Sequence, residues 1–409
     1  MPLRPFLVDK MVIIKNGEIF CRDGSIKRGS LYIEGGRIVK VCIQNTMACT
    51  ENYDTGRAGV KQRRPECAEI LDASGMYVIP GLIDIHIHGC MGADVCDATG
   101  KALDVIAEHE LKCGITTFCP TSMSYDEESL KKIFANVSGY VKENKAGDKR
   151  ARIAGINMEG PFLNPKRCGA QNAKYLCSPD VNMFERLQEA AGGLIKLCDI
   201  APEMPGAMEF MEELKERVHI SIAHSQADYS QALEAFKRGA DHVTHLFNGM
   251  PEALHREPGI VGACADTEGI YAELIGDGVH VHPAMVRAAF KLLGEDRIVL
   301  ISDSIRACGL PEGEYELGGQ RVIVKDKVCR LDDGTIAGSQ TDLMDCLREV
   351  TDNMGIPFGM AVKCATVNPA KAIGIFEDYG SLDEGKTADI VCLDKNLNIR
   401  YVFKDGIRI

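Results

Sequence analysis

Two patterns of apolar and polar positions divide this chain. Near both ends, short β-branched runs alternate with polar residues and turn signals, which is typical of antiparallel strands. From about residue 82, short apolar runs alternate instead with amphipathic stretches, which is typical of βα units on a parallel sheet. The pattern therefore predicts a small β domain built from the chain ends and a larger α/β domain between them.

The central part contains eight apolar runs that we interpret as parallel strands. They are LIDIHIH, ITTFCPTS, IAGINMEG, IKLCDIAPE, HISIAHS, HVTHLFN, YAELIGDGVH and RIVLISDS. Amphipathic stretches predict helices between them, most clearly at 98–113, 126–144, 230–239 and 282–294. Eight strands close a barrel, so the predicted fold class is α/β, a TIM-like (β/α)8 barrel.

The N-terminal part of the small β domain is predicted to span residues 1–79. Turn signals at Asn16-Gly17 and Gly35-Gly36 suggest hairpins there. The polar stretch 45–66 has little apolar content and is interpreted as an exposed loop.

The barrel is predicted to span residues 80–375, with a β-hairpin excursion at about 314–338 around Asp333-Gly334. Residues 376–409 again resemble short strands, with a turn at Asp405-Gly406. We expect these strands to join those of residues 1–79 and complete a small β-sandwich.

Composition narrows the class of protein. With 409 residues and 45% hydrophobic content, the chain can bury a large core. The net charge of -12 is dispersed, which argues against nucleic-acid or anionic-membrane binding and means that an anionic substrate needs a local basic pocket. The 17 cysteines form no CxxC pair, and no apolar stretch is long enough to span a membrane. We expect free thiols in a cytoplasmic protein.

Candidate ligands for a metal ion fall at the predicted strand ends. They are His86 and His88 after the first strand, Glu159 after the third, His224 after the fifth, His245 after the sixth and Asp303 after the eighth. The carboxyl ends of parallel barrel strands open on one face, so these side chains are expected to share one pocket. His86 and His88 are two residues apart on a strand and can point the same way.

This set of side chains suits a divalent cation such as Zn²⁺ or Fe²⁺, and a carboxylate can bridge two ions. A bound ion lowers the pKa of water, and Asp303 is placed to take the proton and pass it to a leaving group. The alternative for Asp303 is a carboxylate that only caps the strand end. His109, His219 and His242 lie away from the predicted mouth and are expected to have structural roles.

The motifs PGLIDIHIHG, MEGPF, IAHS, THLFNGM, HREPG, GDGVH and ISDS occur in this order. Together they resemble the N-acetylglucosamine-6-phosphate deacetylases of the amidohydrolase superfamily, over nearly the whole chain. The resemblance implies hydrolysis of the acetamido group of N-acetylglucosamine 6-phosphate to glucosamine 6-phosphate and acetate. It also implies that Glu159, His224 and His245 hold the principal metal and that Asp303 is the acid and base.

The resemblance further implies a set of sugar-phosphate contacts and a homodimer. The contacts map to Ala170, Gln171, Asn248, Gly249, Arg256, Asp277, Gly278, Val279, His280, Ile336, Ala337 and Gly338. Arg256 offers a planar cation for the phosphate and is expected to act within its own subunit or across the dimer. His280 is expected to bind the carbonyl oxygen or a sugar hydroxyl.

Two features distinguish this chain within the family. Some members lack histidines at the HxH position and bind one metal, whereas His86 and His88 leave room for one or two ions here. Gln171 occupies a position where some members have a histidine. Two alternatives stay open: another hydrolase on this scaffold, acting on cyclic amides or unphosphorylated sugars, and an inactive relative that serves as an interaction scaffold.

Overall fold

The computed structural model of the protein describes residues 11–43, 68–143 and 148–409. The strands are β1 (Val12–Phe20), β2 (Ile26–Glu34), β3 (Arg37–Ile43), β4 (Glu69–Asp72), β5 (Tyr77–Pro80), β6 (Leu82–Ile87), β7 (Gly89–Cys90), β8 (Ala93–Asp94), β9 (Ile115–Ser122), β10 (Arg152–Ile153), β11 (Ile156–Met158), β12 (Ile195–Ile200), β13 (His219–Ile222), β14 (Ala240–Val243), β15 (Tyr271–Ile275), β16 (Ile298–Ile301), β17 (Gly313–Leu317), β18 (Gln320–Lys325), β19 (Val328–Leu331), β20 (Ile390–Leu393), β21 (Ile399–Lys404) and β22 (Ile407–Arg408). The helices are α1 (Gly100–Lys112), α2 (Glu127–Glu143), α3 (Val181–Ala190), α4 (Ala207–Leu214), α5 (Tyr229–Arg238), α6 (Gly259–Asp266), α7 (Pro283–Leu293), α8 (Leu343–Asp352), α9 (Phe358–Ala365) and α10 (Val367–Ala372).

The barrel strands follow one another in chain order. Strand β6 pairs in parallel with β9, β9 pairs with both β10 and β11, and the order then runs through β12, β13, β14 and β15 to β16. A parallel bridge between Ile87 and Ser304 returns the last segment to the first strand. The predicted α/β barrel is thus confirmed, and each of the eight predicted runs supplies one position in it.

Every residue of β6 and of β9 is buried, because the barrel interior covers one face and helices cover the other. This is why these runs lack a polar alternation. The predicted helices correspond to α1, α2, α5 and α7. At the start of α1, the side chain of Thr99 accepts a hydrogen bond from the backbone N–H of Ala102, which fixes where the helix begins.

Strands from both chain ends form the second domain, as predicted. Its sheet runs in the order β22, β21, β20, β5, β1, β2, β3, with β4 also beside β1. A separate hydrophobic core, which includes Ile14, Leu31 and Phe403, lies against this sheet. The boundaries at residues 79/80 and 375/376 stay predictions.

The expected turn at Asn16-Gly17 is wrong. Strand β1 continues through it with a register shift between Ile14 and Gly17, and Asn16 takes a φ of 62°. The chain turns at residues 21–25 instead, where the N–H of Cys21 bonds the carbonyl of Ser25. Asn tolerates the left-handed conformation of a bulge as readily as that of a turn, so the dipeptide alone does not distinguish them. The turns at Gly35-Gly36 and Asp405-Gly406 are present between β2 and β3 and between β21 and β22.

The excursion at about 314–338 is a three-stranded sheet, β17, β18 and β19, rather than a single hairpin. A short bridge between Arg330 and Ile336 brackets the Asp333-Gly334 turn. The predicted loop at 45–66 lies outside the described residues. No helix in the described ranges is both long enough and apolar enough to cross a membrane.

Candidate metal centre

Strand ends bring the six predicted side chains to one place. His86 lies within β6 and His88 just after it, and Glu159 follows β11 directly. His224, His245 and Asp303 each stand two residues beyond the ends of β13, β14 and β16. All six are buried. The sequence prediction that they converge therefore agrees with the geometry of the barrel.

The first group of potential ligands surrounds one oxygen of Glu159. Its Oε1 lies 3.0 Å from His224 Nε2 and 3.2 Å from His245 Nε2. The two imidazole Nε2 atoms are 3.2 Å apart. Ligands at about 2.0–2.1 Å from a tetrahedral zinc lie roughly 3.3 Å from one another, so this triangle has the size of a metal site.

The second group uses the other oxygen of the same carboxylate. Glu159 Oε2 lies 3.2 Å from His88 Nε2 and 3.7 Å from His86 Nε2. Asp303 Oδ1 lies 3.3 Å from His88 Nε2 and 3.6 Å from His86 Nε2. Glu159 therefore stands between two groups of donors, in the position of a bridging ligand.

Two observations show that these residues fit a cation. The Nε2 of fully buried His86 has no hydrogen-bond partner among the described residues, although two carboxylates surround it. Burial lowers the pKa of His88, but hydrogen bonds to Asp303 and Glu159 outweigh it and raise that pKa to about 10. The two buried carboxylates thus strongly favour a positive charge nearby. A divalent ion would provide that charge while the imidazoles stay neutral.

The other ring nitrogen of each histidine is held by an oxygen. His86 Nδ1 bonds Glu273 Oε2 at 2.9 Å, and His88 Nδ1 bonds the carbonyl of Thr121 at 3.2 Å. The Nδ1 atoms of His224 and His245 bond the carbonyls of Arg167 and Asn248, at 2.8 and 3.1 Å. An oxygen at Nδ1 requires the proton there, which leaves each Nε2 lone pair free for a metal.

An unusual backbone conformation also helps to direct three of these side chains toward the site. His224, His245 and Asp303 have φ values of 43°, 30° and 47°. Such left-handed conformations are uncommon for residues other than glycine, and they cluster at functional sites.

A cavity of about 290 Å³ opens beside these side chains. Seven of the predicted substrate contacts line it, namely Ala170, Gln171, Asn248, Gly249, His280, Ile336 and Gly338. Met123, Gly169, Leu317 and Thr335 also line it, although no sequence motif indicated them. Leu317 and Ile336 come from the excursion, so that segment forms one wall of the cavity.

Gln171 contacts the candidate bridging carboxylate itself. Its Nε2 donates to Glu159 Oε2 at 2.7 Å, and its Oε1 accepts the backbone N–H of Ser124 at 2.7 Å. The side chain is buried. Its position therefore serves to orient Glu159 as well as to line the cavity.

Asp277 lies behind His280 rather than on the cavity wall. Its Oδ2 bonds His280 Nδ1 at 2.7 Å, and its Oδ1 accepts the backbone N–H groups of Val279 and His280. Burial lowers the pKa of His280, but the Asp277 carboxylate outweighs it and raises that pKa. The predicted segment Asp277 to His280 thus presents one side chain, that of His280, to the cavity.

Arg256 lies on the surface. It is exposed in the loop before α6 and is not among the cavity-lining residues, and neither is Ala337, which is fully buried. No lysine or arginine lines the cavity within the described chain. The described lining residues therefore offer no cation to a phosphate group bound there.

Comparison with known proteins identifies the family. The profile described as "Amidohydrolase family" matches residues 77–408. This chain belongs to the amidohydrolase family. Amidohydrolases are metal-dependent, and the His and Glu groups of this chain at the barrel mouth are the candidate ligands.

Several similar proteins are named as deacetylases of N-acetylated amino-sugar 6-phosphates. The N-acetylglucosamine-6-phosphate deacetylase of Bacillus subtilis (strain 168) is 34% identical over 97% of this chain and 99% of its own length. The N-acetylgalactosamine-6-phosphate deacetylase of Escherichia coli O157:H7 is 32% identical over 84% and 90%. A solved structure of a Mycobacterium smegmatis N-acetyl-D-glucosamine-6-phosphate deacetylase variant, in complex with N-acetyl-D-glucosamine-6-phosphate, has a TM-score of 0.85 at 29% identity and covers 98% of both chains.

Sequence reasoning missed the buried acids behind the ligands of this amidohydrolase. Glu273 holds His86, and Asp84 Oδ1 accepts the backbone N–H of His86 at 3.1 Å. Burial raises the pKa of Asp84 to about 7 and raises that of Asp199 well above its usual range. The available signal was an acid inside an apolar run: LIDIHI, KLCDI and YAELI each contain one. Burial of an unpaired carboxylate costs free energy, so such an acid indicates a partner in the barrel interior.

Proposed function

We propose that this protein hydrolyses the acetamido group of N-acetyl-D-glucosamine 6-phosphate to D-glucosamine 6-phosphate and acetate. The observation that carries this proposal is the complete set of metal-ligand and acid/base side chains around one cavity, in a chain similar over nearly its whole length to deacetylases of that substrate. An inactive relative would be expected to have lost some of these side chains.

The proposed roles follow from position. A bound divalent cation would lower the pKa of the attacking water and polarise the amide carbonyl. Asp303, buried beside His86 and His88, would accept the proton of the attacking water and then deliver it to the leaving nitrogen. His280 lines the same cavity, and the Asp277 carboxylate at its Nδ1 raises its pKa. In the charged form of the ring, Nε2 would donate to the carbonyl oxygen as charge develops there.

We propose Zn²⁺ or Fe²⁺ as the cofactor, with Glu159, His224 and His245 holding the principal ion. His86, His88 and Asp303 form a separate donor group, which together with Glu159 would hold a second ion. Nitrogen and carboxylate donors of this kind suit both metals.

We further propose that Ala170, Gln171, Asn248, Gly249, Ile336 and Gly338 contact the sugar, and that the enzyme is a cytoplasmic homodimer. The absence of a described cation on the cavity wall supports a phosphate contact from outside the subunit. Exposed Arg256 is our candidate, supplied by the second subunit of the dimer. Asp277, Gly278, Val279 and Ala337 would act by shaping the wall behind these contacts.

The test is acetate release from a panel of sugars by protein loaded with Zn²⁺ or Fe²⁺. We expect hydrolysis of N-acetylglucosamine 6-phosphate, little hydrolysis of unphosphorylated N-acetylglucosamine, and a loss of about 10²–10⁴-fold in Asp303→Asn with metal still bound. Comparable turnover with and without the 6-phosphate would refute the specificity. No hydrolysis with either metal would refute the activity.

A second candidate substrate is the 4-epimer, N-acetylgalactosamine 6-phosphate. The observation that favours it is the 32% identity to a deacetylase of that name. The same panel separates the two, because the better substrate has the higher kcat/KM under identical metal loading.

A further inference from the structure

A second group of potential metal ligands lies outside the centre described above. Helix α1 carries His109 and Glu110, and Cys113 is the capping residue at its C-terminal end. Strand β7 carries Cys90, and Asp342 precedes α8. We call these five residues the α1 cluster. None of them lines the cavity of the metal centre.

The donor atoms of the α1 cluster are close together. Those of Cys90, His109 and Glu110 lie within 4.8 Å of one another. A second triad, formed by His109, Cys113 and Asp342, meets the same limit. Cys113 Sγ is 3.6 Å from His109 Nε2, because residues four apart share one face of a helix. The imidazole of His109 belongs to both triads and has a thiol beside it in each.

Glu110 supplies an independent observation. Its side chain is 1% exposed, and neither Oε1 nor Oε2 has a hydrogen-bond partner among the described residues. The same helix face is otherwise apolar, with Leu103, Ile106 and Leu111 buried. A buried carboxylate is normally hydrogen-bonded, paired with a charge or bound to a metal. Burial raises the pKa of Glu110 well above its usual range, so the carboxyl is protonated when no cation is bound. A metal ion shared with the neighbouring thiols and imidazole would displace that proton and supply the missing partner.

We propose that the α1 cluster binds one thiophilic divalent cation, with Zn²⁺ as its simplest representative. The ligands are the thiolates of Cys90 and Cys113, an imidazole nitrogen of His109 and a carboxylate oxygen of Glu110. These four donors come from both triads, which share His109. Drawn together around that imidazole, two thiolates, one imidazole and one carboxylate would make the four-coordinate set of a closed, structural zinc site. Asp342 lies beside the site and caps α8 through the backbone N–H of Asp345.

The protonation states agree with this arrangement. Burial lowers the pKa of His109, which keeps its imidazole neutral and able to bind a metal. Burial and the nearby Asp342 carboxylate raise the pKa of Cys113, so that without a cation it remains a thiol. Metal binding would displace the thiol protons. The ion would then join β7 to α1, and it would do so two residues from the candidate ligand His88.

Cobalt tests the proposal without relying on activity. The ligands proposed for the metal centre offer only nitrogen and oxygen, so a thiolate-to-cobalt charge-transfer band in the near ultraviolet reports on cysteine ligation alone. We expect metal-free protein titrated with Co²⁺ to develop this band and to bind one more equivalent than Cys90→Ser, Cys113→Ser or His109→Ala, which would lose it. Cys177→Ser is the matched control, since Cys177 is also a half-buried free thiol and lies outside the α1 cluster.

Absence of the band in wild-type protein with the metal centre filled would overturn the proposal, as would a band that survives His109→Ala. A second measurement avoids substitutions altogether. Alkylation of the intact protein, read by mass spectrometry, should modify Cys113 more slowly with Zn²⁺ than without it, while the rate at Cys177 stays the same. Equal rates at Cys113 with and without Zn²⁺ would also overturn it.

Discussion

Glu273 offers a sharp test of how the metal centre is held. Its Oε2 lies 2.9 Å from His86 Nδ1, and the side chain is fully buried in the barrel interior. The substitution Glu273→Gln keeps the size of the side chain but removes its charge. The amide can also present its NH₂ group to Nδ1, which would force the ring proton onto Nε2 and block ligation.

The magnitude follows from this contact. Carboxylates that orient metal-binding histidines contribute about 10- to 100-fold to metal affinity. At about 1.4 kcal/mol for each tenfold change, the substitution should cost roughly 1.4–2.8 kcal/mol of binding free energy. We expect the loss mainly at the ion held by His86 and His88. The Glu159, His224 and His245 group contacts Glu273 only through the backbone N–H of His245, at 3.4 Å.

The assay is a competition between metal-free protein and a chromogenic chelator, with metal content measured at each point. Glu268→Gln is the matched control, because Glu268 precedes the same strand but is exposed. The reasoning would be refuted if Glu273→Gln bound both ions as tightly as the control. It would also be refuted if only the ion at His224 and His245 were weakened.

Three further outcomes are expected. The double variant His86→Ala/His88→Ala should lose one bound ion relative to wild type and keep the other. Its residual hydrolysis shows whether the second ion is needed. An unchanged metal content would contradict the division of the ligands into two groups. Gln171→Leu should lower the free energy of unfolding by about 1–3 kcal/mol in denaturant titrations, because the N–H of Ser124 loses its partner, and an unchanged midpoint would contradict this. Arg256→Ala should raise KM for the phosphorylated sugar with little change in kcat, and an equal KM would remove Arg256 from the phosphate site.

The barrel could be predicted from the sequence because its strands are buried on both faces. Such strands appear as continuous apolar runs, and a polar side chain at the end of a run is conspicuous. His224 and Asp303 are examples: each comes two residues after the end of its strand, and each lies at the barrel mouth. The position along the strand, which is local information, was enough to place them.

Features that depend on distant partners could not be predicted in this way. The contact between Glu273 and His86 joins β15 to β6, and His224 Nδ1 bonds a backbone carbonyl at Arg167, which no side-chain pattern reveals. The prediction of a turn at Asn16-Gly17 was wrong for a related reason. A turn and a bulge need the same backbone conformation, and only pairing with the neighbouring strand separates them.

The left-handed residues indicate how a bound cation would affect the stability of this site. His224, His245 and Asp303 each hold a conformation that costs of order 1–3 kcal/mol for a residue with a side chain. Beside them, Glu159 and Asp303 place two carboxylates around His86 and His88, with Glu273 behind. Both the backbone strain and the gathered negative charge oppose folding of the metal-free barrel. A divalent ion would offset them, because it would bind the folded arrangement and would have no comparable site in the unfolded chain. On the proposed assignment, catalytic geometry and metal-dependent stability would arise from the same residues, so that a substitution which relaxes the strain at these positions would also move a proposed ligand or the proposed proton carrier.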